Sequence, residues 1–167
     1  MIIVGIDPGT ATTGWGAIEA NGGGLKLYGF GLIETNKDHL AQDRLFGIYR
    51  GMTSLLKEIK PDVLAIEKLF FATNAKTAIR VGQAQGVMLL SAAAAKIPVF
   101  EYAPGTIKKA IAGDGRADKK LIQIAVRKVL GHKVRSGKHK KTHFDNSADA
   151  LAVALCHIYS EKLATVG

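Results

Sequence analysis

The stretch IIVGIDPGTATTGWGAIEANGGGLKLYGFGLIE, residues 2–34, reads as three consecutive strands. Ile2 to Ile6 is an unbroken apolar run closed by Asp7, the pattern of a strand buried on both faces. A Gly- and Thr-rich turn from Gly9 to Gly16 feeds a second strand through Trp15 to Ala20. Asn21-Gly22-Gly23-Gly24 is a strong turn signal, so Leu25 to Ile33 returns as an antiparallel third strand and the opening is a meander.

Outward from that meander, Leu40, Leu45, Ile48, Met52, Leu55, Leu56 and Ile59 recur at three- and four-residue spacing and predict a helix that stops before Pro61. Val63 to Ile66 is a fourth strand, Asn74 caps a helix from Ala75 to about Ala95, and Val99 to Glu101 is a short fifth strand. Brief helices follow at Ile107 to Ala112 and Asp118 to Leu130, and the last begins near Asp145 or Asn146 and runs to about Lys162. The stretch His132 to His143 has no apolar periodicity and is expected to be a mobile, basic loop, at about 132–144. No internal repeat is visible. The sum is an α/β domain with a mixed five-stranded sheet, its first three strands antiparallel, and helices on both faces.

The 167 residues, 47% hydrophobic, suit one compact domain spanning 1–167. The formal charge is +9, and it is regional: residues 104–144 hold 12 Lys or Arg against 2 Asp, leaving about −1 for the rest. A solubilising charge would be spread over all faces, so this excess points to a polyanionic partner. The lone Cys156 sits in an apolar helical pattern, which excludes an intrachain disulfide framework and suits a reducing compartment. No leader-like opening is visible, and the least polar stretch, Gly82 to Ala95, is too short and too rich in Ala and Gly to span a bilayer, so a cytoplasmic protein with no membrane partner is expected.

Against this basic background, Asp7 and Glu67 each close an apolar strand, where a side chain faces the crevice beyond the sheet's C-terminal edge. Asp145 and Asp149 in FDNSADALAVAL supply further carboxylates. Clustered carboxylates are what hard divalent cations require, and with a basic surface they suggest a protein that holds a phosphate backbone and cuts it with Mg2+. Phe70 and Phe71 come three and four residues after Glu67, where the strand ends; adjacent strand residues point to opposite sides, so at least one projects toward the cleft, where a base can stack on it. Asn74, Lys76, Arg80 and Gln83 follow at helical spacing and suit phosphate or sugar contacts. Lys108, Lys109, Arg116, Lys119 and Lys120 form a second basic patch, and Lys133, Arg135, Lys138, Lys140 and Lys141 a third. The loop histidines His132, His139 and His143 lack the paired spacing of a zinc site, and His157 is expected at the edge of the core.

GIDPGT with its following GWG, AIEKLFFATNAKTAIRVGQAQGV, VFEYAPGTIKK and SADALAVALCH, in this order over nearly the whole chain, together resemble the RuvC family of Holliday-junction resolvases. The resemblance implies an RNase H-like fold, a homodimer formed through the Ala- and Gly-rich helix after Ala75, and symmetric nicking of two like strands at a four-way DNA junction in recombination and repair. It also implies two Mg2+ per site, with Mn2+ an acceptable substitute, and delivery of the junction by the RuvA–RuvB branch-migration machinery. Asp7, Glu67 and Asp149 match the family's catalytic metal ligands, Phe70 the residue inserted at the junction centre, and Lys108 and Lys119 basic residues near the metal site. The family pattern places Asp, or in some members His, three residues before Asp149, whereas this chain has Asn146. An amide oxygen still ligates but brings no charge, so a second cation should bind less well, unless Asp145 substitutes by a shift of the helix start rather than capping it. Three alternatives stand beside a junction nuclease. A GIDxGT opening also begins actin-like ATPases, which need a second phosphate loop and greater length; an RNase H-like nuclease could process RNA; and a junction binder could have lost cleavage at Asn146.

Overall fold

The computed structural model describes residues 1–69, 75–131 and 141–166. β1 (Ile2–Asp7), β2 (Thr12–Asn21) and β3 (Gly24–Glu34) form the expected antiparallel meander. β2 starts before the expected Trp15 because Thr12 and Thr13 already pair with Glu34 and Ile33 of β3. α1 (Ala41–Ile59) carries the chain over the sheet so that β4 (Val63–Glu67) lies parallel to β1. α2 (Ala75–Ala94) does the same for β5 (Val99–Tyr102), giving the mixed order β3-β2-β1-β4-β5. α3 (Pro104–Ala112), α4 (Lys119–Leu130) and α5 (Lys141–Val166) complete the fold.

The helix boundaries have local causes. α1 stops at Lys60, whose φ of 50° is left-handed and whose N–H bonds back to the Leu56 carbonyl, and Pro61 bars continuation. α3 starts three residues earlier than periodicity suggested, because Pro104 at its first turn has φ already set and no N–H to satisfy. Asp118 caps α4, accepting from the Leu121 N–H at 2.8 Å. α5 departs most from expectation. It begins at Lys141, not at Asp145 or Asn146, and ends at Val166 rather than Lys162. No Gly or Pro interrupts 141–145, and a helix once nucleated by a buried segment extends through residues that carry no stop signal. The expected loop therefore ends by residue 140; residues 132–140 lie outside the described residues.

Period-two alternation along the buried strands divides the core. Ile3, Ile18, Val63 and Ala65 point to one face, covered by α3, α4 and the buried run Ala150–Ile158 of α5. Val4, Ile6, Ala17, Leu64 and Ile66 point to the other, covered by Ile48, Met52 and Leu56 of α1 and Ala84, Met88 and Ala92 of α2. The central strands are thus apolar on both faces, as the unbroken runs required. Cys156 packs in this core as expected. His157 does not sit at its edge: the ring is 1% exposed, lies 4.7 Å from the Phe100 ring and shares a 2.7 Å hydrogen bond between Nδ1 and the Tyr102 hydroxyl. Burial lowers its pKa, since the charged imidazolium would be desolvated.

α5 crosses the sheet at unusually short range because the strands beneath it carry glycines. A Cβ at Gly5 would stand 2.0 Å from the Ala150 carbonyl oxygen, and one at Gly14 would stand 2.2 Å from that of Asn146. Only glycine permits such an approach of helix backbone to strand backbone.

Candidate active site

Asp7 is the last residue of β1, and the β1–β4 register pairs Ile6 with Ile66, so Asp7 and Glu67 end adjacent parallel strands on the same sheet edge. After Asp7 the chain must turn sharply. Gly9 is needed there, since a Cβ would lie 2.2 Å from the Thr12 carbonyl oxygen, and the buried Thr13 hydroxyl donates to the Gly9 carbonyl at 2.8 Å to hold the turn. Glu67 is fixed from the other side, paired with Tyr102 of β5, and the next N–H, of Lys68, donates to the Tyr102 carbonyl at 2.8 Å.

The third carboxylate comes from the helix. With Asn146 packed over Gly14 and Ala150 over Gly5, the turn of α5 between them is held against β1 and β2. Asp149, in that turn, lines one cavity of about 280 Å3 with Asp7 and Glu67; Lys108 of α3 and Lys119 of α4 close its other side. Residues 7, 67 and 149, distant in sequence, therefore meet at the C-terminal edge of β1 and β4. Lys119 Nζ lies 2.7 Å from Asp149 Oδ2.

The electrostatics are those of crowded negative charge. The Asp7 carboxyl is pushed up to about 7, first by burial and then by the charges of Glu67 and Asp149, with Lys119 opposing. Glu67 is likewise raised, by burial and by Asp149, against Lys108 and Lys119. Two lysines leave the acidic trio only partly neutralised, which is the condition under which further positive charge is attracted. Among the described residues, however, no three acidic, His or Cys side chains already stand in a cage that would hold a metal ion. The carboxylates share a cavity, and the Lys119 ammonium occupies Asp149.

Of the other residues singled out from sequence, Asn146 is partly buried, its backbone lying over Gly14, the β2 partner of Asp7. Phe70, Phe71 and Asn74 lie outside the described residues, as does the side chain of Asp145. Lys76, Arg80 and Gln83 are exposed at the start of α2; Arg80 and Gln83 line a separate notch against the start of α1. Lys108 and Lys119 reach the acidic cavity, but Lys109 lines a different hollow with Tyr159 and Leu163, and Arg116 and Lys120 are exposed and do not line it. One residue escaped sequence reading. Gln85, 7% exposed, lines the hollow on the other flank of Asp7 and Glu67, accepts from the Leu69 N–H at 3.4 Å and donates to Glu101 Oε2 at 3.5 Å. Its signal was a polar residue on the buried stripe of Ala84, Met88 and Ala92, where an amide must have partners.

Known proteins resemble this chain throughout its length. The profile of the family described as crossover junction endodeoxyribonuclease RuvC matches residues 3–157. A crossover junction endodeoxyribonuclease RuvC of Syntrophomonas wolfei is 46% identical over 165 residues, 99% of this chain and 92% of that protein. One of Chloroflexus aggregans is 45% identical over 160 residues, 96% of this chain and 94% of that protein. Among solved structures, Thermus thermophilus RuvC superposes with a TM-score of 0.84 at 30% identity, covering 99% of this chain and 98% of that one. The same protein in complex with Holliday junction substrate also gives 0.84, at 28% identity and the same coverage. The yeast mitochondrial resolvase Ydc2 shares the fold, with a TM-score of 0.74 at 14% identity, over 98% of this chain and 80% of that one. Matched from Ile3 to His157 and nearly half identical to several of its members, the chain belongs to the RuvC family of crossover junction endodeoxyribonucleases.

Proposed function

We propose that this protein is a structure-selective endonuclease that resolves four-way DNA junctions by symmetric, Mg2+-dependent nicking of two like strands in recombination and repair. The observation that carries the reading is the meeting of Asp7, Glu67 and Asp149 on one cavity with Lys108 and Lys119, in a chain whose relatives are named for that activity.

The donor set suits a hard cation: three carboxylates line one cavity, two of them with raised pKa, and Asn146, whose backbone packs over Gly14, the strand partner of Asp7, carries a neutral amide oxygen one helical turn before Asp149. Asp7, Glu67 and Asp149 would hold Mg2+, or Mn2+ in its place, with Asn146 the weakest member of the set. When bound, such ions acidify a water and offset charge on the phosphorane and the leaving oxygen. The chain's own groups do the rest. Lys108 and Lys119 on the cavity wall attract the backbone phosphate, and the Lys119 ammonium, which pairs with Asp149 in this structure, would donate to a phosphate oxygen if a cation took its place on that carboxylate.

A two-fold junction cut at symmetric positions needs two identical sites related by a two-fold axis, so the working unit is a homodimer. Exposed Ile79, Leu90, Ala93 and Ala94 on α2 favour that helix as the contact. By family likeness the RuvA–RuvB machinery delivers the junction, in the cytoplasm; among the described residues no helix is long and apolar enough to cross a membrane. The second reading, binding without cleavage, rests on the uncharged Asn146. Titrating a synthetic four-way junction and a linear duplex of the same arms, with and without Mg2+, tests both. Selective binding with paired nicks in Mg2+ is expected; selective binding without nicks would leave the binder, and no preference for the junction would end both readings.

A further inference from the structure

On the far side of the turn that follows Asp7 is a second, smaller site that the acidic cavity does not include. Thr10 forms its inner wall. Lys37 and His39, from the segment between β3 and α1, line it with Arg44 of the first turn of α1 and with Arg80 and Gln83 of α2. Three obligate cations and one histidine thus converge from three segments on a notch of about 160 Å3. No carboxylate lines it: Asp38 and Asp43, though adjacent in sequence, are exposed elsewhere, and no ion pair to Lys37, Arg44 or Arg80 is present among the described residues.

The notch is built rather than incidental. Arg44 is half-buried, and its Nε donates to Thr35 Oγ1 at 3.1 Å. That hydroxyl donates to the Thr10 carbonyl at 2.6 Å, and the Thr35 N–H donates to the Ala11 carbonyl at 3.0 Å. With Nε engaged on the turn, the guanidinium keeps its two terminal NH2 groups for an outside acceptor, the fork that suits a tetrahedral oxyanion. The volume decides between ligand classes, since small-molecule pockets run from roughly 300 Å3 upward, whereas a phosphate with a few waters needs far less. Position decides the source. Thr10 lies in the turn that follows Asp7, three residues on, so the notch and the acidic cavity are lined from the two ends of one short stretch of chain.

We infer that the notch formed by Thr10, Lys37, His39, Arg44 and Arg80 is a second phosphate subsite, which grips the DNA backbone beside the phosphodiester to be cut and sets the register of that strand over Asp7. The inference rests on the junction-nuclease reading and extends it to residues with no part in the acidic site. Through the chain from Arg44 to Thr35 to Thr10, occupancy of the notch also stiffens the turn that carries Asp7. Helical spacing had marked Arg80 and Gln83 for phosphate contact, but their meeting with Lys37, His39 and Arg44 is tertiary and was invisible beside the dense charge of residues 104–144.

The test uses four-way junctions carrying a single neutral methylphosphonate at successive positions near the cut, with Ca2+ in place of Mg2+ to prevent cleavage. Binding is measured for the wild type and for a Lys37→Gln/Arg80→Gln double variant, both sites being exposed and the melting temperature therefore expected to hold. The wild type should lose about tenfold in affinity at one position, and the double variant should show no loss there while keeping the losses at other positions; its salt slope should fall by about one to two. Equal position-by-position losses in the two proteins, or equal salt slopes, would overturn the subsite while leaving junction binding intact. Wild-type protein that does not prefer the junction would overturn the parent reading instead. Millimolar inorganic phosphate is the remaining arm: competition by phosphate beyond its ionic strength, without any methylphosphonate dependence, would assign the notch to a free anion and overturn its role in strand register.

Discussion

Adding one methyl group at Gly5 should disable the protein from beneath. The new Cβ would stand 2.0 Å from the Ala150 carbonyl oxygen and 2.7 Å from the Ala154 nitrogen, where ordinary contact begins at 3.4 Å, so α5 must retreat from β1 by about 1.4 Å. Both obstructing atoms are helix backbone, so no side-chain rotation relieves the clash. Overpacking a tight core costs roughly 1–3 kcal/mol, and a helix buried from Ala150 to Ile158 places this case near the upper figure, about 3 kcal/mol. For a protein of this size that lowers the melting temperature by roughly 6–12 °C. Asp149 precedes Ala150 by one residue and moves with it, and a displacement on the order of 1 Å at a catalytic group costs about 100-fold in rate. Gly5→Ala is therefore compared with Gly22→Ala, where a Cβ meets nothing within 4 Å, by thermal melting and by single-turnover nicking of a synthetic junction well below the melting temperature. Gly22→Ala should behave as wild type within about 0.5 kcal/mol. A Gly5→Ala protein with unchanged melting and full nicking would refute the claim that this close approach sets the position of Asp149.

Four further outcomes are expected. Asn146→Asp should raise Mg2+-dependent nicking at least about tenfold, a gain of about 1.4 kcal/mol in transition-state stabilisation, whereas equal rates would put residue 146 outside the metal shell. In metal-free protein the Asp7 pKa of about 7 lies above its ordinary 3.8, so the folded state holds a proton that the unfolded chain has released. The resulting stability is complete below about pH 4 and is lost as pH rises through 7; Asp7→Asn should melt increasingly above wild type over that range, and a gap independent of pH would contradict the assignment. Lys119→Gln should tighten Ca2+ binding roughly two- to fivefold, as expected for a partly exposed ion pair, while slowing nicking; unchanged affinity by calorimetry would mean that the ammonium does not compete for Asp149. Tyr102→Phe strands the Nδ1 of buried His157 and should cost about 1–3 kcal/mol in denaturant unfolding, and a neutral result would show that water satisfies the ring.

What was legible in the sequence was whatever a short window determines. The alternation and the turn at Asn21–Gly24 announced the meander, the spacing from Leu45 to Ile59 announced α1, and carboxylates closing apolar strands placed Asp7 and Glu67 at one edge. The start of α5 was not legible, because Lys141 to Phe144 neither favour nor forbid helix and the Asp-Asn pair mimics a cap. Nor was the burial of His157: residues 150–158 of α5 are buried without a break, so no polar face in that stretch marked which residues were inside. Gln85, Arg44 and Lys37 take their meaning from partners on other elements, which no local pattern encodes.

The crossing of α5 over the glycines has a consequence for when the protein becomes dangerous. Asp7 and Glu67 leave the ribosome long before Asp149, and the segment that brings Asp149 is the one whose buried residues, 150–158, seal one side of the sheet. On the proposed reading, completion of the interior and completion of the cutting centre are a single event. A half-synthesised or misfolded copy therefore has no means of scission, and the chromosome is spared a nuclease that acts before it can choose its target.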